Sequence, residues 1–439
     1  MPRKTQFSQR RGERGQTIVL VAISIVSLLA MAALAIDVVT LYVARSEIQR
    51  AADAAALAGA KGIADSGITS LSSVDLAVNL PQIQNLAQNM AAAAINAVLA
   101  NNTVAGSAPS LVAGSPSFPT FTSATVTPVN SWQVTVALQQ TNLPTFFARI
   151  FGRTGATVTA SATAEAYNPA NLPSFTPIAP KGVKPWLVAN KDPAQCSHPQ
   201  FVNPVTGDAN PGVLNDPDFW LTADCNAGGG NCALSANPPG ALACPQRVVQ
   251  YVPALVTPNS GNVCNSSCLG SDYENSIQCY DANTYSCGGG SPNAHWDTTG
   301  SVNPNGSAAA DTTDGVECLI HAVGTGLGQG QDSFSIGTWP SGPMEMTAGS
   351  GPLSGKPVAT SNSVVTIPII DVDTPGAFSA AGPVTVIGFL QAFVEQIDVN
   401  NNIQVKVLNV AGCSQTSNGA PPIIGGNGTS PIPVRLITP

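Results

Sequence analysis

The side chains whose types and spacing most suggest chemistry in this sequence are its cysteines. There are ten: Cys196, Cys225, Cys232, Cys244, Cys264, Cys268, Cys279, Cys287, Cys318 and Cys413. An even number of thiols in an exported region reads as a disulfide framework, although their order along the chain does not fix the pairing. A zinc site built from "CNSSC" (264–268) and His295 is the competing use. The other histidines, His198 and His321, lie among cysteines and turn residues. "DVDTPG" (371–376) sets two carboxylates and a glycine as a calcium loop would, without the downstream glutamate. "HAVGTGLGQG" (321–330) follows an expected strand but fits neither G-x-G-x-x-G nor a P-loop, so it reads as a loop. "DSFS" (332–335) has the wrong spacing for a D-x-S-x-S metal-adhesion motif, and G-x-S-x-G and H-E-x-x-H are missing. The expectation is a non-enzyme with no cofactor, no bound metal and no evident small-molecule substrate.

One carboxylate stands apart. Asp37 interrupts an apolar run and is followed by "VVTLYVA", so the helix stays apolar beyond the acid. Two readings compete. In one, Asp37 ends a membrane span at the outer boundary with its carboxylate in water. In the other, it is buried among helices and pairs with a Lys or Arg of a partner, because a lone charge in that setting is costly.

The element that must position Asp37 is a long helix. From Gly15 to Ile36 no charge occurs. At about 1.5 Å per residue this stretch reaches about 33 Å, enough for a hydrocarbon core of about 30 Å. Arg3, Lys4, Arg10, Arg11 and Arg14 precede it, opposed by Glu13, which places residues 1–14 in the cytoplasm and the remainder outside. "AALA" (32–35) would serve a signal-peptide cleavage site. The length of the apolar run and the helical pattern through that point favour an uncleaved anchor in the inner membrane. Charged residues make up 10% of the 439 residues, against the usual value of about 25%. A net charge of −8 argues against a nucleic-acid partner.

Beyond Tyr42, an interfacial aromatic, "ARSEIQRAADAAALAGAKG" extends the anchor helix, so that residues 15–62 form one unit. Leu41, Ile48, Ala51, Ala55 and Ala58 share a face at helical spacing. With Asp37 and Tyr42, Ala51, Ala55 and Ala58 form the candidate partner-binding face. A second alanine-rich helix is expected near 74–100. Residues near 123–167 then alternate apolar with Thr and Ser, as half-buried strands do, around a short helix in "PTFFARIFG" closed by Gly152. Residues 73–167 thus give a helix and strands of one exported domain. Residues 181–360 hold nine of the cysteines and read as a disulfide-stapled, loop-rich insertion. "NSVVTIPIIDV", "GPVTVIGFLQAFVEQIDV" and "NIQVKVLNVAGC", within 361–413, are expected to complete the same sheet, and 414–439 to form a flexible tail. The fold class is α+β: one transmembrane helix extending outward, then an exported α/β body with antiparallel sheet and a cysteine-rich insertion.

Residues 14–60 closely resemble the N-terminal segment of TadG-like proteins, of the TadE/TadG group in Flp (tight adherence) pilus systems. The resemblance rests on Arg14-Gly15-Gln16, on Asp37 with Leu41-Tyr42, and on Gln49 through Ala60. Residues 144–166 are similar to a helix–strand element of such proteins, and 384–397 to their final strand. The resemblance implies an inner-membrane, pilin-like accessory protein whose partners are other pilus or secretion components. Leu20 stands where prepilin processing after Gly15 would need a glutamate, so neither processing nor polymerisation carries over. Metal-dependent adhesion does not carry over either. A cell-surface adhesin using the same anchor is the alternative, and an exported hydrolase is a third.

Overall fold

In the computed structural model, the residues described are 13–70, 73–122, 131–145, 147–152, 154–168, 180–190, 200–204, 207, 218–223, 247–253, 268, 270–279, 309–321, 328–335, 345–358, 361–371, 385–413 and 432–438. The first element, α1 (Glu13–Asp65), runs unbroken for 53 residues, about 80 Å of helix. Its two halves differ in what surrounds them. Between Thr17 and Val43 the side chains are exposed, save buried Ala33 and Asp37 and part-buried Leu41. From Ala44 on, the helix enters the core, burying Ile48, Ala51, Ala52, Ala55, Ala56, Ala60, Ile63 and Ala64 at intervals of one, three and four residues. It stops at Ser66-Gly67, where Gly67 takes the left-handed conformation (φ 82°) that commonly ends helices.

A second helix, α2 (Ser73–Asn101), returns along α1. The two backbones approach closely because α1 has glycine at the crossing. A Cβ on Gly62 would come 2.7 Å from the Met90 carbonyl oxygen and 2.8 Å from the Ala91 Cα. Strands β1 (Ser110–Leu111), β2 (Trp132–Pro144) and β3 (Gly155–Ala166) follow, paired antiparallel in that order. On β2, Trp132, Val134, Val136 and Leu138 are buried, and their half-exposed neighbours Gln133, Thr135 and Ala137 alternate with them. Ala162, Ala164 and Ala166 of β3 complete the face lying against α1. The hairpin runs lengthwise along the helix. Gly59 meets Val134, Gln49 donates to the Ser161 carbonyl at 3.3 Å, and Asp37 reaches the β2–β3 turn.

Next come β4 (Trp186–Ala189), β5 (Asp218–Ala223) and β6 (Arg247–Pro253), then helices α3 (Asp272–Gln278) and α4 (Ala309–Ile320). A small sheet follows: β7 (Ser333–Ser335), β8 (Glu345–Thr347) and β9 (Pro357–Val358). Strands β10 (Val364–Ile370), β11 (Val386–Ile397) and β12 (Ile403–Gly412) then close a barrel with the earlier three, in the order β10-β11-β12-β5-β6-β4. The last strand, β13 (Val434–Thr438), pairs antiparallel with β3.

The protein is α+β with antiparallel sheet, as expected, and β2, β3, β10, β11 and β12 lie where the alternation placed them. Their association differs. Strands β10–β12 do not complete the β2–β3 sheet, because β11 buries nine consecutive residues, Val386–Val394, and needs cover on both faces. Leu187, Phe389 and Ala411 pack in the core of α1, whereas Trp186, Val188, Leu390 and Val410 pack in a second core with Tyr273, Ile277, Val316 and Leu319 of α3 and α4. Strands β4–β6, which fall within residues 181–360, are part of the barrel. The fourth strand of the first sheet comes from the expected tail. There Arg435 donates to Glu165 at 2.6 Å and lies 5.0 Å from the centre of the Tyr167 ring, fixing β13 to the edge of β3. The "HAVG" stretch follows helix α4, not a strand.

Candidate functional site

The expected partner-binding residues fall into two groups. Tyr42 is 75% exposed, and Ala58 is half-buried. Ala51 and Ala55 lie in the chain's own core beside β3 and α2, which occupy the small-residue face. Asp37 is only 3% exposed. Its Oδ2 accepts from the backbone N–H of Phe147 at 3.0 Å and of Ala148 at 2.7 Å.

Its burial is not that of a carboxylate ending a span in water. The donors are the leading amides of the 3-10 turn Ala148–Phe151, whose flanking residue is Phe147 and has no capping side chain of its own. Leading amides of a helical turn lack internal acceptors and attract negative charge. Asp37 supplies that acceptor from another element. Gly152 (φ 82°) closes the turn, its N–H bonding the Arg149 carbonyl at 3.0 Å. Both halves of the contact are visible in the sequence, as a lone acid in an apolar run and an uncapped turn flanked by Pro144 and Gly152. Nothing local connects them.

Further along α1 Glu47 and Gln49 also face the chain itself. Glu47 accepts from the Ala105 N–H at 2.8 Å, and Gln49 donates to Asp53 at 2.8 Å. The helix ends in a buried network that sequence reasoning missed. Asp65 is 1% exposed, pairs with Lys61 at 2.6 Å, and accepts from Gln391 of β11 at 3.1 Å. Asn409 of β12 donates to the Gln391 side-chain carbonyl and to the Ala64 backbone carbonyl, each at 2.6 Å. The hydroxyls of Thr69 and Ser70 lie 3.3 Å from the Asn409 side-chain oxygen. Gln391 and Asn409, amides flanked by apolar residues in their strands, were the available signal.

The cysteines are only partly on view. Cys268 and Cys318 form a disulfide with a Cα–Cα distance of 6.3 Å, tying the lead-in to α3 to α4. Cys268 is thereby removed from the alternative zinc set. Cys279 and Cys413 are also disulfide-bonded. Cys196, Cys225, Cys232, Cys244, Cys264, Cys287, His198, His295 and most of "DVDTPG" lie outside the described residues. Among the described residues no three His, Cys, Asp or Glu side chains gather as a metal site would require. An open cleft of about 530 Å3 is lined by His321, Asp332, Ser361 and Asn362. Its polar groups bond one another: His321 Nε2 lies 2.8 Å from Asn362, and Asp332 accepts from Ser361 at 2.6 Å and from the Gly349 N–H at 3.0 Å.

Residues 15–62 match the family described as "Putative Flp pilus-assembly TadE/G-like". The N-terminal segment is therefore TadE/TadG-like, which relates the chain to Flp pilus assembly, and the match takes in the apolar stretch, Asp37 and the alanine-rich extension. No curated protein and no solved structure matches the chain.

Proposed function

We propose that this chain is a membrane-anchored structural component of a Flp-type (tight adherence) pilus or related secretion apparatus. In this reading α1 crosses the inner membrane with its basic leader in the cytoplasm, and the remaining chain acts outside by protein contacts, without catalysis. The observation that carries the reading is the continuity of α1. A largely apolar surface exposed at every residue from Thr17 to Ala32, and at most residues on to Val43, needs lipid or other helices around it. The same helix then becomes the spine of the folded body without a break. Force or position imposed on the span is thus passed to the body through hydrogen-bonded helix rather than a linker.

The partner-facing surface then lies on the side of α1 that the body leaves open, at Tyr42, Arg45 and Ser46, all exposed just beyond the span. In-cell photo-crosslinking from Ser46, with partners identified by mass spectrometry, tests this. Adducts with other pilus or secretion components are expected. Adducts with lipid alone would reduce α1 to an anchor and move the function to the barrel.

A further inference from the structure

We propose that the β2–β3 turn is itself a membrane element, seated in the outer-leaflet interface beside α1, so that the body rests on the bilayer at two points. The inference rests on α1 being a membrane span.

Three observations place the turn there. First, Asp37, which binds the turn, lies about 30 Å along α1 from Thr17, the thickness of a hydrocarbon core. The turn is therefore held at the outer edge of the span by the 2.7 Å and 3.0 Å contacts of its amides to that carboxylate. Second, the cover on the helix extends deeper than Asp37. Ala33, one turn back and about 6 Å further into the apolar stretch, is 6% exposed. Ala22, Ala30, Ala32 and Ala35 of the same stretch are all exposed, so the burial of Ala33 comes from outside its own helix. Third, the hairpin is aimed at the membrane. Its contacts with α1 pass from Val134 beside Gly59, through Ser161 at Gln49, to Phe147 at Asp37.

The composition of the turn suits that place. Phe147-Ala148-Arg149-Ile150-Phe151 holds four apolar residues and one cation. Phe147 and Ala148 are half-buried, whereas Arg149 is exposed. Aromatic side chains settle at the headgroup level, and an arginine there can reach lipid phosphates from a shallow position. The two amides that would otherwise face hydrocarbon unsatisfied are taken by Asp37, and the buried carboxylate is given donors in turn. One contact therefore satisfies both groups at the depth where water is scarce.

The test uses depth-dependent quenching of tryptophan by brominated phosphatidylcholine, with the full chain reconstituted in vesicles. Phe147→Trp and, separately, Phe151→Trp report on the turn. Leu29→Trp reports on the span, and Val399→Trp, in an exposed turn between β11 and β12, reports on water. Each is read as the difference from the unsubstituted protein, which has five tryptophans. The expected result is that lipids brominated near the headgroup quench the added indole of Phe147→Trp and of Phe151→Trp most. Leu29→Trp should be quenched most by lipids brominated deep in the chain, and Val399→Trp by neither. If Leu29→Trp is quenched while both turn variants behave like Val399→Trp, the turn is in water and the inference is overturned with the anchor intact. If Leu29→Trp escapes quenching as well, the anchor reading itself has failed and takes the inference with it.

Discussion

Asp37 and Asp65 sit on one helix, about 42 Å apart along its axis, and both are almost fully buried. They are held in different ways. Asp37 takes two backbone amides from a turn of the first sheet. Asp65 takes a lysine four residues back and a glutamine from the barrel, within a net of side chains. Beside the exposed apolar half of α1, the carboxylate meets main-chain donors of a helical turn. In the interior of the body, where α1 meets β11 and β12, it meets side chains that also bond one another. Each contact fastens a different body to the same spine: Asp37 the β2–β3 hairpin, Asp65 the barrel.

If that division is right, removing either carboxylate loosens only its own body, and by different amounts. Asp65→Ala should have the larger effect, about 3 kcal/mol, because it removes an acceptor from buried Gln391 and breaks into a net that includes Asn409. Lys61 is 32% exposed and can turn to water, so the cost arises mainly from the amides. Chemical denaturation in detergent, followed by hydrogen exchange in β11 and β12, would measure it. An equal loss of protection in the β2–β3 turn would merge the two contacts into one.

Asp37→Ala should cost about 1–2 kcal/mol, the usual loss for a helix cap, with the effect confined to residues 147–152. Asp37→Asn, which keeps a carbonyl oxygen for the same amides, should lose less. If Asn proved as damaging as Ala, the charge rather than the hydrogen-bonding geometry would be what holds the turn.

The smallest expected effect sharpens the contrast by leaving both carboxylates alone. Tyr273 of α3 is fully buried in the second core, and burial pushes its phenol up to about 12 from an ordinary 10, with Asp311 adding to the rise and hydrogen bonds to Thr312 and Trp186 opposing it. An acid group whose folded value is raised stabilises the fold below pH 10 and loses that contribution as the pH climbs through about 12. Packing of α3 and α4 on the barrel should therefore loosen in that window, together with late tyrosinate absorbance. A single tyrosinate transition near pH 10 would contradict the burial of Tyr273.

Much of the body was legible because its elements obey local rules. The period of two at 132–138 and 155–166 and the alanine spacing of α1 each follow from one face meeting a core, a condition written in consecutive residues. What was not legible is association. The run from Val386 to Val394 shows that β11 is covered on both faces but not by what, so its membership in a barrel with β5 and β10 cannot be read from it. Strand β13 offers five residues after a Pro- and Gly-rich stretch, too short a signal to outweigh its surroundings. The site divides the same way. Asp37 was conspicuous because its neighbours are apolar, whereas Asp65 lies in "ADSGITS", which reads as an ordinary helix end. The partners of both are remote, at Phe147 and Gln391.

The claim at the centre of this account is that span and body form one rigid piece, joined at the membrane boundary by Asp37. Hydrogen–deuterium exchange on the protein in lipid nanodiscs, read at the Phe147 and Ala148 amides in the native chain and in Asp37→Ala, tests it most directly. The account predicts strong protection of these amides in the native chain and its loss in the variant, with exchange in β11 and β12 unchanged. Rapid exchange at both amides in the native chain would contradict it, and would leave the body tied to its anchor by α1 alone.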